Sequence, residues 1–444
     1  MKSNDIVLES SEELEQSSNE KPVIIQKGLL LPFALITACF ALWGAANNMT
    51  DLLVPAFQKV LSMTLFESSF IQSAFYGAYF FMALPAALLI QKYSYKKGIM
   101  TGLTVYAIGA VLCYPASQAM SFEFFLLAFY VFASGCAILE TVAAPYVMSM
   151  GPAETATQRI NLAQAFNPVG VLIGVFLGKE VILKGLNSAT ESERAAMAVE
   201  ELVKIQGQEL SNVVTAYLMV AVAALILGGI IFLVNFPTGK SNEKFGELKD
   251  SFKRLKKNKT WKFAVITQFF YVGCQIGVWT YAIKYIMDNH SDVTNEAQAG
   301  EFVFYGLCVY AAFRFICTFL MTYISPAKLL TKMSSLAVFF ILVAVFVGDE
   351  IGVYALLGSF TCMSLMFPTI YGLGLESVGE DRKLGGSFII MAILGGAVLV
   401  PLQGWIIDTT GNVNTSYLLP LVCFVMVFVF SIFATKNSKL KNVV

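Results

Sequence analysis

The chain contains twelve apolar stretches that are each long enough to cross a bilayer, and this repetition limits its fold more than any other feature. A membrane-spanning helix needs roughly 20 mostly apolar residues. The stretches are 29–56, 66–91, 98–118, 122–150, 160–183, 213–236, 260–287, 299–323, 329–347, 351–375, 384–408 and 416–435. Composition agrees, because 57% of the residues are hydrophobic and only 14% are charged, against about 25% charged in soluble domains. The stretches are continuously apolar, which excludes the alternating pattern of a barrel. The sequence predicts an all-α membrane protein with twelve transmembrane helices.

A charged central segment divides these helices into six plus six. We predict a cytoplasmic tail (1–28), an N-terminal six-helix bundle (29–236), a cytoplasmic linker (237–259), a C-terminal six-helix bundle (260–435) and a second tail (436–444). The motif FALIT at 33–37 recurs as FAVIT at 263–267, and PYVMSMG at 145–151 is echoed by PTIYGLG at 368–374. These echoes fall on the first and fourth helices of the halves. Parallel six-helix repeats with a substrate site between them are typical of the major facilitator fold.

The placement of lysine and arginine predicts the orientation. With both termini cytoplasmic, the inner segments hold 23 of the 30 basic residues, as the positive-inside rule requires. We therefore expect a multi-pass protein of the cell inner (plasma) membrane, with the lipid bilayer as its surroundings. The zero net charge hides this asymmetry and predicts no nucleic-acid partner.

Residues for enzymatic or metal chemistry are scarce. All eight cysteines lie inside apolar stretches without metal-ligand spacing, and the only histidine, His290, falls in a predicted outer loop where we expect it to be solvated. The sequence contains no phosphate-binding loop, HExxH motif or nucleophile elbow. We predict no enzymatic activity, no metal site and no cofactor, the proton serving as coupling ion.

The first helix ends in the polar stretch WGAANNMTD. At 3.6 residues per turn, Trp43, Asn47 and Asp51 fall on one stripe, with Asn48 beside it. Asparagines can simply join helices, whereas a carboxylate within a spanning helix usually faces a cavity or a partner. The alternative for Asp51 is a position near the outer membrane interface.

A second carboxylate, Glu140, lies deeper, with apolar neighbours for a full turn on both sides. Burial favours the neutral, protonated form of a carboxyl group, which suits a proton carrier. The alternative is a structural ion pair with Arg314 of the other half. Arg314 could equally satisfy backbone carbonyls where the halves meet.

Polar residues also lie along two later predicted helices, the fifth and the seventh. In the fifth helix Asn161, Gln164 and Asn167 recur every three residues and predict a polar ridge. A corresponding stripe in the seventh helix comprises Gln268, Tyr271, Gln275 and Trp279. Amides and aromatic faces suit a polyhydroxylated ligand such as a sugar. The alternatives are interhelical hydrogen bonding for the ridge and ordinary packing for the stripe.

From about residue 30 to residue 433 the sequence resembles the fucose:proton symporter family of the major facilitator superfamily. The resemblance rests on PFALITACFALWGAANNMTDLLVPAFQ, IQSAFYGAYFF, YSYKKGIMTGL, LETVAAPYV, GPAETATQRINLAQAFN, QFFYVGCQIGVWTYAIKY and PTIYGLGLESVG. It implies that Asp51 and Glu140 couple protonation to sugar binding. It also implies that Asn48, Gln164 and Asn167 line the cavity, with Trp43 close by.

The resemblance favours one kind of sugar but does not identify the substrate. Members resembling glucose/galactose carriers tend to have glutamine where this chain has Glu140, which favours a fucose-like, proton-dependent member. Two departures stand beside the expected site: Ala144 replaces an asparagine of the family, and Pro168 replaces a serine.

We therefore predict a monomeric symporter that imports a neutral monosaccharide with protons by alternating access. L-fucose is the first expectation, and glucose/galactose or N-acetylglucosamine are the alternatives. The expected site comprises Asp51 and Glu140 for the proton, and Trp43, Asn48, Gln164, Asn167, Gln275 and Trp279 for the sugar. A proton-driven drug exporter predicts a cavity dominated by aromatic residues, which the amide ridge disfavours. A membrane sensor predicts a folded soluble domain larger than either polar segment provides.

Overall fold

A computed structural model describes residues 23–61, 63, 70–187, 189, 193–194, 196–236 and 248–441. The described part is almost entirely helical. Its first half contains α1 (Leu30–Val60), α2 (Phe70–Lys92), α3 (Tyr95–Gln118), α4 (Phe122–Met148), α5 (Ala156–Gln164), α6 (Asn167–Leu177) and α7 (Val199–Leu233). Short 3-10 or π-helical turns adjoin α5 and α6 at Ala153–Thr155, Gly178–Ile182 and Leu183–Gly185.

The second half begins with a helix in the charged central segment, and most of the helices after it are separated by only a few residues. It contains α8 (Leu248–Lys257), α9 (Lys259–Thr280), α10 (Ala282–Asn289), α11 (Glu296–Leu320), α12 (Pro326–Phe346), α13 (Asp349–Met363), α14 (Met366–Glu376), α15 (Arg382–Met391), α16 (Gly395–Thr410), α17 (Val413–Ser416) and α18 (Leu418–Lys441). 3-10 turns at Gly379–Asp381 and Ala392–Leu394 adjoin α15.

The lengths and composition of these helices confirm the predicted fold class. Within the described residues, eleven helical segments are long and apolar enough to cross a membrane, and Leu30–Ala46 is a shorter apolar helix at the start of α1. Helices in a bilayer must satisfy their own backbone hydrogen bonds. The structure is an all-α membrane protein with the transmembrane helices that the twelve apolar stretches predict.

The same helix pairing recurs in both halves, held by a glycine at each crossing. A β-carbon on Gly170 of α6 would lie 1.8 Å from the carbonyl oxygen of Ala41 in α1. A β-carbon on Gly395 of α16 would lie 1.9 Å from the carbonyl oxygen of Phe269 in α9. Only glycine permits such close backbone approach. The first and fifth helices of each half are therefore packed in the same way.

The fifth and tenth transmembrane helices are each interrupted just before a proline. The fifth breaks between Gln164 and Asn167, ahead of Pro168, and the tenth breaks between Met363 and Met366, ahead of Pro368. Proline has no backbone N–H and cannot bond the carbonyl four residues earlier. The break shows that the predicted ridge does not lie on one continuous helix, because it separates Asn167 from Asn161 and Gln164.

The two halves meet on the side of the molecule where the described ends of the chain lie, which we term the chain-end side. Gln26 N–H donates to the Met150 carbonyl there, 3.1 Å away. Hydrogen bonds between the halves on this side include those that join Thr157 to Glu376, Gln158 to Thr322 (3.0 Å), Asn161 to Thr369 (3.2 Å) and Lys383 to the Ile90 carbonyl (3.3 Å). These bonds close the chain-end side.

Candidate functional site

Glu140 lies inside the N-terminal half on α4, eight residues before the helix ends at Met148. Only 2% of its surface is exposed, and neither carboxylate oxygen has a hydrogen-bond partner among the described residues. At 1.5 Å per residue, it is about 12 Å from the chain-end terminus of its helix. A small cavity beside it is lined by Cys39, Phe40, Trp43, Leu139 and Ala143. The structure thus places Glu140 where the sequence predicts, buried and unpaired.

Trp43 lies against the same cavity, as the resemblance implies. Its indole nitrogen donates to the hydroxyl of Tyr79 on α2. Tyr79 is close enough to Glu140 for the two groups to interact electrostatically. The indole therefore lies one side chain away from the carboxylate, on a wall built from α1, α2 and α4.

Arg314 on α11 joins the two halves at nearly the same depth. Its Nη1 donates to the carbonyl oxygen of Gln164 at 2.6 Å, and its Nε donates to the carbonyl oxygen of Ser364 at 2.7 Å. The guanidinium is near enough to Glu140 for a long-range electrostatic interaction, but the two groups form no ion pair within the described residues. The sequence left two alternatives for Arg314, an ion pair with Glu140 or hydrogen bonds to backbone carbonyls. The structure shows the hydrogen bonds to carbonyls.

The three amides of the expected ridge have different surroundings. Gln164 is 1% exposed, and both atoms of its side-chain amide lack a partner among the described residues. Asn161 bonds Thr369 of the other half, and Asn167 donates to the Phe40 carbonyl at 3.3 Å. Asn161 and Asn167 therefore hold helices together in this structure, whereas Gln164 keeps its full hydrogen-bonding capacity.

The C-terminal half contributes an aromatic wall with one amide, Gln275. Gln275 donates to the hydroxyl of Tyr310 at 3.2 Å, and the Trp279 ring packs edge-on against Tyr310 at 5.3 Å. Arg314 lies over the same Tyr310 ring, also at 5.3 Å. Contacts therefore run continuously from Gln164 through Arg314 and Tyr310 to Gln275 and Trp279.

Several side chains in this region are buried with polar atoms that have no partner among the described residues. They are Glu140, Gln164, Gln268, Trp279 and Tyr371. Buried polar atoms are almost always hydrogen-bonded, to protein, water or ligand. Together these groups can bind a small neutral molecule rich in hydroxyls, with one carboxylate available to hold a proton.

Two of the expected residues are only partly described. Asn48 and Asp51 belong to α1, but their side chains lie outside the described part of the chain. Asp51 follows Trp43 by eight residues, which places its backbone about 12 Å farther along the helix, away from the chain-end side. Their roles remain predictions.

Three tyrosines around the site were not predicted: Tyr79, Tyr310 and Tyr371. Tyr310 precedes Arg314 by one helical turn, and Tyr371 follows Pro368, so each stands near a feature that the sequence does reveal. The chain has 18 tyrosines and 37 phenylalanines, and nothing in the pattern separates these three from the rest. Only the tertiary contacts identify them.

The prediction for His290 was wrong. The side chain is 9% exposed, with its ring against Phe302 at 5.1 Å, so it is packed rather than solvated. Its ligand atom and those of Asp292 and Glu350 lie within 4.8 Å of one another. Because Nδ1 of His290 accepts from the Asp292 N–H at 3.3 Å, this arrangement is a loop-stabilising contact.

Comparison with known proteins places this geometry in a family. The model of the Major Facilitator Superfamily matches residues 34–392. The chain belongs to that superfamily. Its relatives there are transporters, so the chain is a transporter and not an enzyme, as the sequence predicts.

The relatives that match over nearly the whole length are sugar transporters. The L-fucose-proton symporter of Escherichia coli (strain K12) is 36% identical over 93% of this chain and 95% of that protein. A glucose/galactose transporter of Brucella abortus biovar 1 (strain 9-941) is 30% identical over 93% and 96%. The crystal structure of the superfamily transporter FucP in the outward conformation has a TM-score of 0.84 and 36% identity, covering 91% of this chain and 99% of FucP.

Proposed function

We propose that this superfamily member imports L-fucose together with protons. The observation that carries the proposal is the 36% identity with an L-fucose-proton symporter over 93% of the chain, combined with a buried carboxylate that has no described partner, Glu140. A glucose/galactose transporter is less similar, at 30% identity. The resemblance implies glutamine at this position in such carriers, and glutamine cannot titrate.

The chemistry of the site supports a sugar as the substrate. Gln164 offers an amide with two N–H donors and a carbonyl acceptor, and none of these is used by the described residues. The hydroxyls of a monosaccharide can both donate and accept, so one amide can bind two of them. Trp279 and Tyr310 supply aromatic surface on the opposite wall, which packs against the apolar C–H face of a sugar.

The proton binds in this proposal at Glu140, with Asp51 as a second titrating carboxylate farther along the pathway. Trp43, Asn48 and Gln275 complete the sugar site, and Asn167, bonded to the Phe40 carbonyl, positions the start of α6 beside it. No cofactor beyond the proton is required. The transporter works as a monomer, because the proposed pathway lies between the two halves of one chain.

The orientation follows from the basic residues, which predict cytoplasmic termini. The chain-end side then faces the cytoplasm of a bacterial inner membrane. Because the hydrogen bonds between halves close that side, we assign the structure to a state that is closed toward the cytoplasm. Import proceeds when sugar and proton bind from outside and the two halves rock to open the chain-end side.

The test is uptake by purified protein reconstituted into liposomes, using labelled L-fucose, D-galactose, D-glucose and N-acetylglucosamine. An inward proton gradient should drive accumulation of L-fucose above the external concentration, and a protonophore should abolish it. Protein-free liposomes serve as the control. Preference for glucose or galactose, with no effect of the protonophore, would replace fucose symport by the second candidate, glucose/galactose transport.

A further inference from the structure

Pro168 and Pro368, which follow the breaks in the fifth and tenth transmembrane helices, each free one carbonyl, and both carbonyls receive the same guanidinium. In an unbroken helix the N–H of residue 168 would bond the carbonyl of Gln164, and that of residue 368 would bond the carbonyl of Ser364. Pro168 and Pro368 have no N–H to give. Arg314 occupies both carbonyls instead, at 2.6 and 2.7 Å.

This arrangement crosses the boundary between the halves. Ser364 and Arg314 belong to the C-terminal half, so the bond to Ser364 fixes the guanidinium on its own bundle. Gln164 belongs to the N-terminal half, so the second bond reaches across. Arg314 is 5% exposed and lies over the Tyr310 ring, which holds its side chain in one position. Charge-assisted hydrogen bonds in such surroundings are about twice as strong as neutral ones.

We propose that Arg314 and Pro168 form a latch that holds the chain-end side closed, the proline keeping the Gln164 carbonyl free for the guanidinium. Arg314 is a positioning residue here, because it acts on the two halves rather than on the sugar. Pro168 has a specific part in the latch, since any other residue at 168 would offer an N–H to the same carbonyl. The bond must break whenever the two halves separate on this side.

The latch rests on the proposed function only in that both assume rocking of the two halves. Its test therefore measures conformation directly, without sugar or proton gradient. Lys97 at the start of α3 and Lys328 at the start of α12 are exposed residues of opposite halves on the chain-end side. Cysteines introduced at both positions can be spin-labelled selectively, because seven native cysteines are buried and Cys308 is half-buried.

The distance distribution between the two labels reports the populations of closed and open forms in detergent. Pro168→Ala should raise the ratio of open to closed about ten-fold, because the new N–H competes for the Gln164 carbonyl. Arg314→Met should raise it at least as much. Pro115→Ala is the control: Pro115 also lies inside a transmembrane helix, α3, but within the N-terminal half and away from Arg314, and the ratio should stay unchanged.

The decisive measurement is the double variant. If Pro168 acts through Arg314, adding Pro168→Ala to Arg314→Met should change the ratio less than two-fold further. An equal effect of Pro168→Ala in both backgrounds would show that the proline acts only by bending its helix, and the latch would be refuted. Pro168→Ser repeats the test if the alanine variant expresses poorly. An unchanged ratio in all these variants would also refute the latch, whatever the uptake assay shows.

Discussion

Glu140→Gln separates a proton carrier from a structural carboxylate, and the structure sets the size of the expected effects. The substitution keeps the shape of the side chain and removes its capacity to ionise. Neither oxygen of Glu140 has a hydrogen-bond partner among the described residues, so no bond is lost. Arg314 is satisfied by the carbonyls of Gln164 and Ser364. We expect the free energy of unfolding to change by about 1 kcal/mol or less, the worth of one hydrogen bond.

An ion pair between Glu140 and Arg314 would give a different result. Removing one partner of a buried pair costs roughly 3–5 kcal/mol, because the other charge stays buried without compensation. Such a loss would appear as a clear drop in melting temperature in detergent. The stability measurement alone therefore distinguishes the two arrangements, before any transport is assayed.

The transport phenotype follows from the permanent neutrality of glutamine. Glutamine resembles the protonated carboxyl group, so the variant should bind sugar and exchange internal for external sugar. It should fail to accumulate sugar, because it cannot release a proton inside and return empty. Both activities are measurable on one reconstituted preparation, as counterflow and as gradient-driven uptake.

The matched control is Glu123→Gln at the start of the same helix. Glu123 is exposed, and its carboxylate accepts a hydrogen bond from the nearby Ser121 hydroxyl at 2.9 Å. It should leave counterflow, accumulation and melting temperature unchanged. Accumulation by Glu140→Gln at the wild-type level would refute the proton-carrier role. Joint loss of counterflow and stability would instead indicate a structural carboxylate.

Three further predictions follow from other contacts. Gln164→Ala should weaken sugar binding by about 1–3 kcal/mol and leave the melting temperature unchanged. Asn167→Ala should instead lower the melting temperature, because it loses its hydrogen bond to α1. Wild-type sugar affinity in Gln164→Ala would contradict the assignment of Gln164 to the sugar site. Asp51→Asn should abolish accumulation while leaving a folded protein, and accumulation by that variant would place Asp51 at the membrane interface. Gly386→Ala would set a β-carbon 2.6 Å from the Tyr371 hydroxyl, so it should lower the melting temperature, and adding Tyr371→Phe should restore it.

The fold could be predicted because the bilayer imposes simple rules. Lengths of apolar sequence determine which segments cross, and each must be helical to satisfy its own backbone. The helix interruptions were harder to predict, although Pro168 and Pro368 are plainly visible in the sequence. A proline inside an apolar stretch can kink a helix or end it, and which occurs depends on the partner that takes the freed carbonyl. Here that partner, Arg314, comes from a distant part of the chain.

The burial of Glu140 could be predicted from the sequence alone. Glu140 is flanked by apolar residues in sequence, and a helix packed on all sides buries it. Gln164 was singled out by the recurrence of amides every three residues, and Trp43 by the helical stripe that it shares with Asn47 and Asp51. His290 shows where such reasoning fails, because a loop position suggests solvent while the ring packs against Phe302. Aromatic contacts between separate helices depend on tertiary packing, which a local pattern does not contain.

The two halves contribute unlike chemistry to one site, and this asymmetry explains how a neutral substrate can be coupled to a charge. The N-terminal half supplies the proposed proton carrier, Glu140, together with the amide of Gln164, whose atoms have no partner among the described residues. The C-terminal half supplies aromatic surface and a fixed cation, Arg314. Arg314 bonds the backbone of Gln164 across the boundary between the halves and forms no hydrogen bond or ion pair with Glu140 among the described residues. If Glu140 carries the proton as we propose, a change of its charge would be exerted on this cation through space, at the place where the halves must separate.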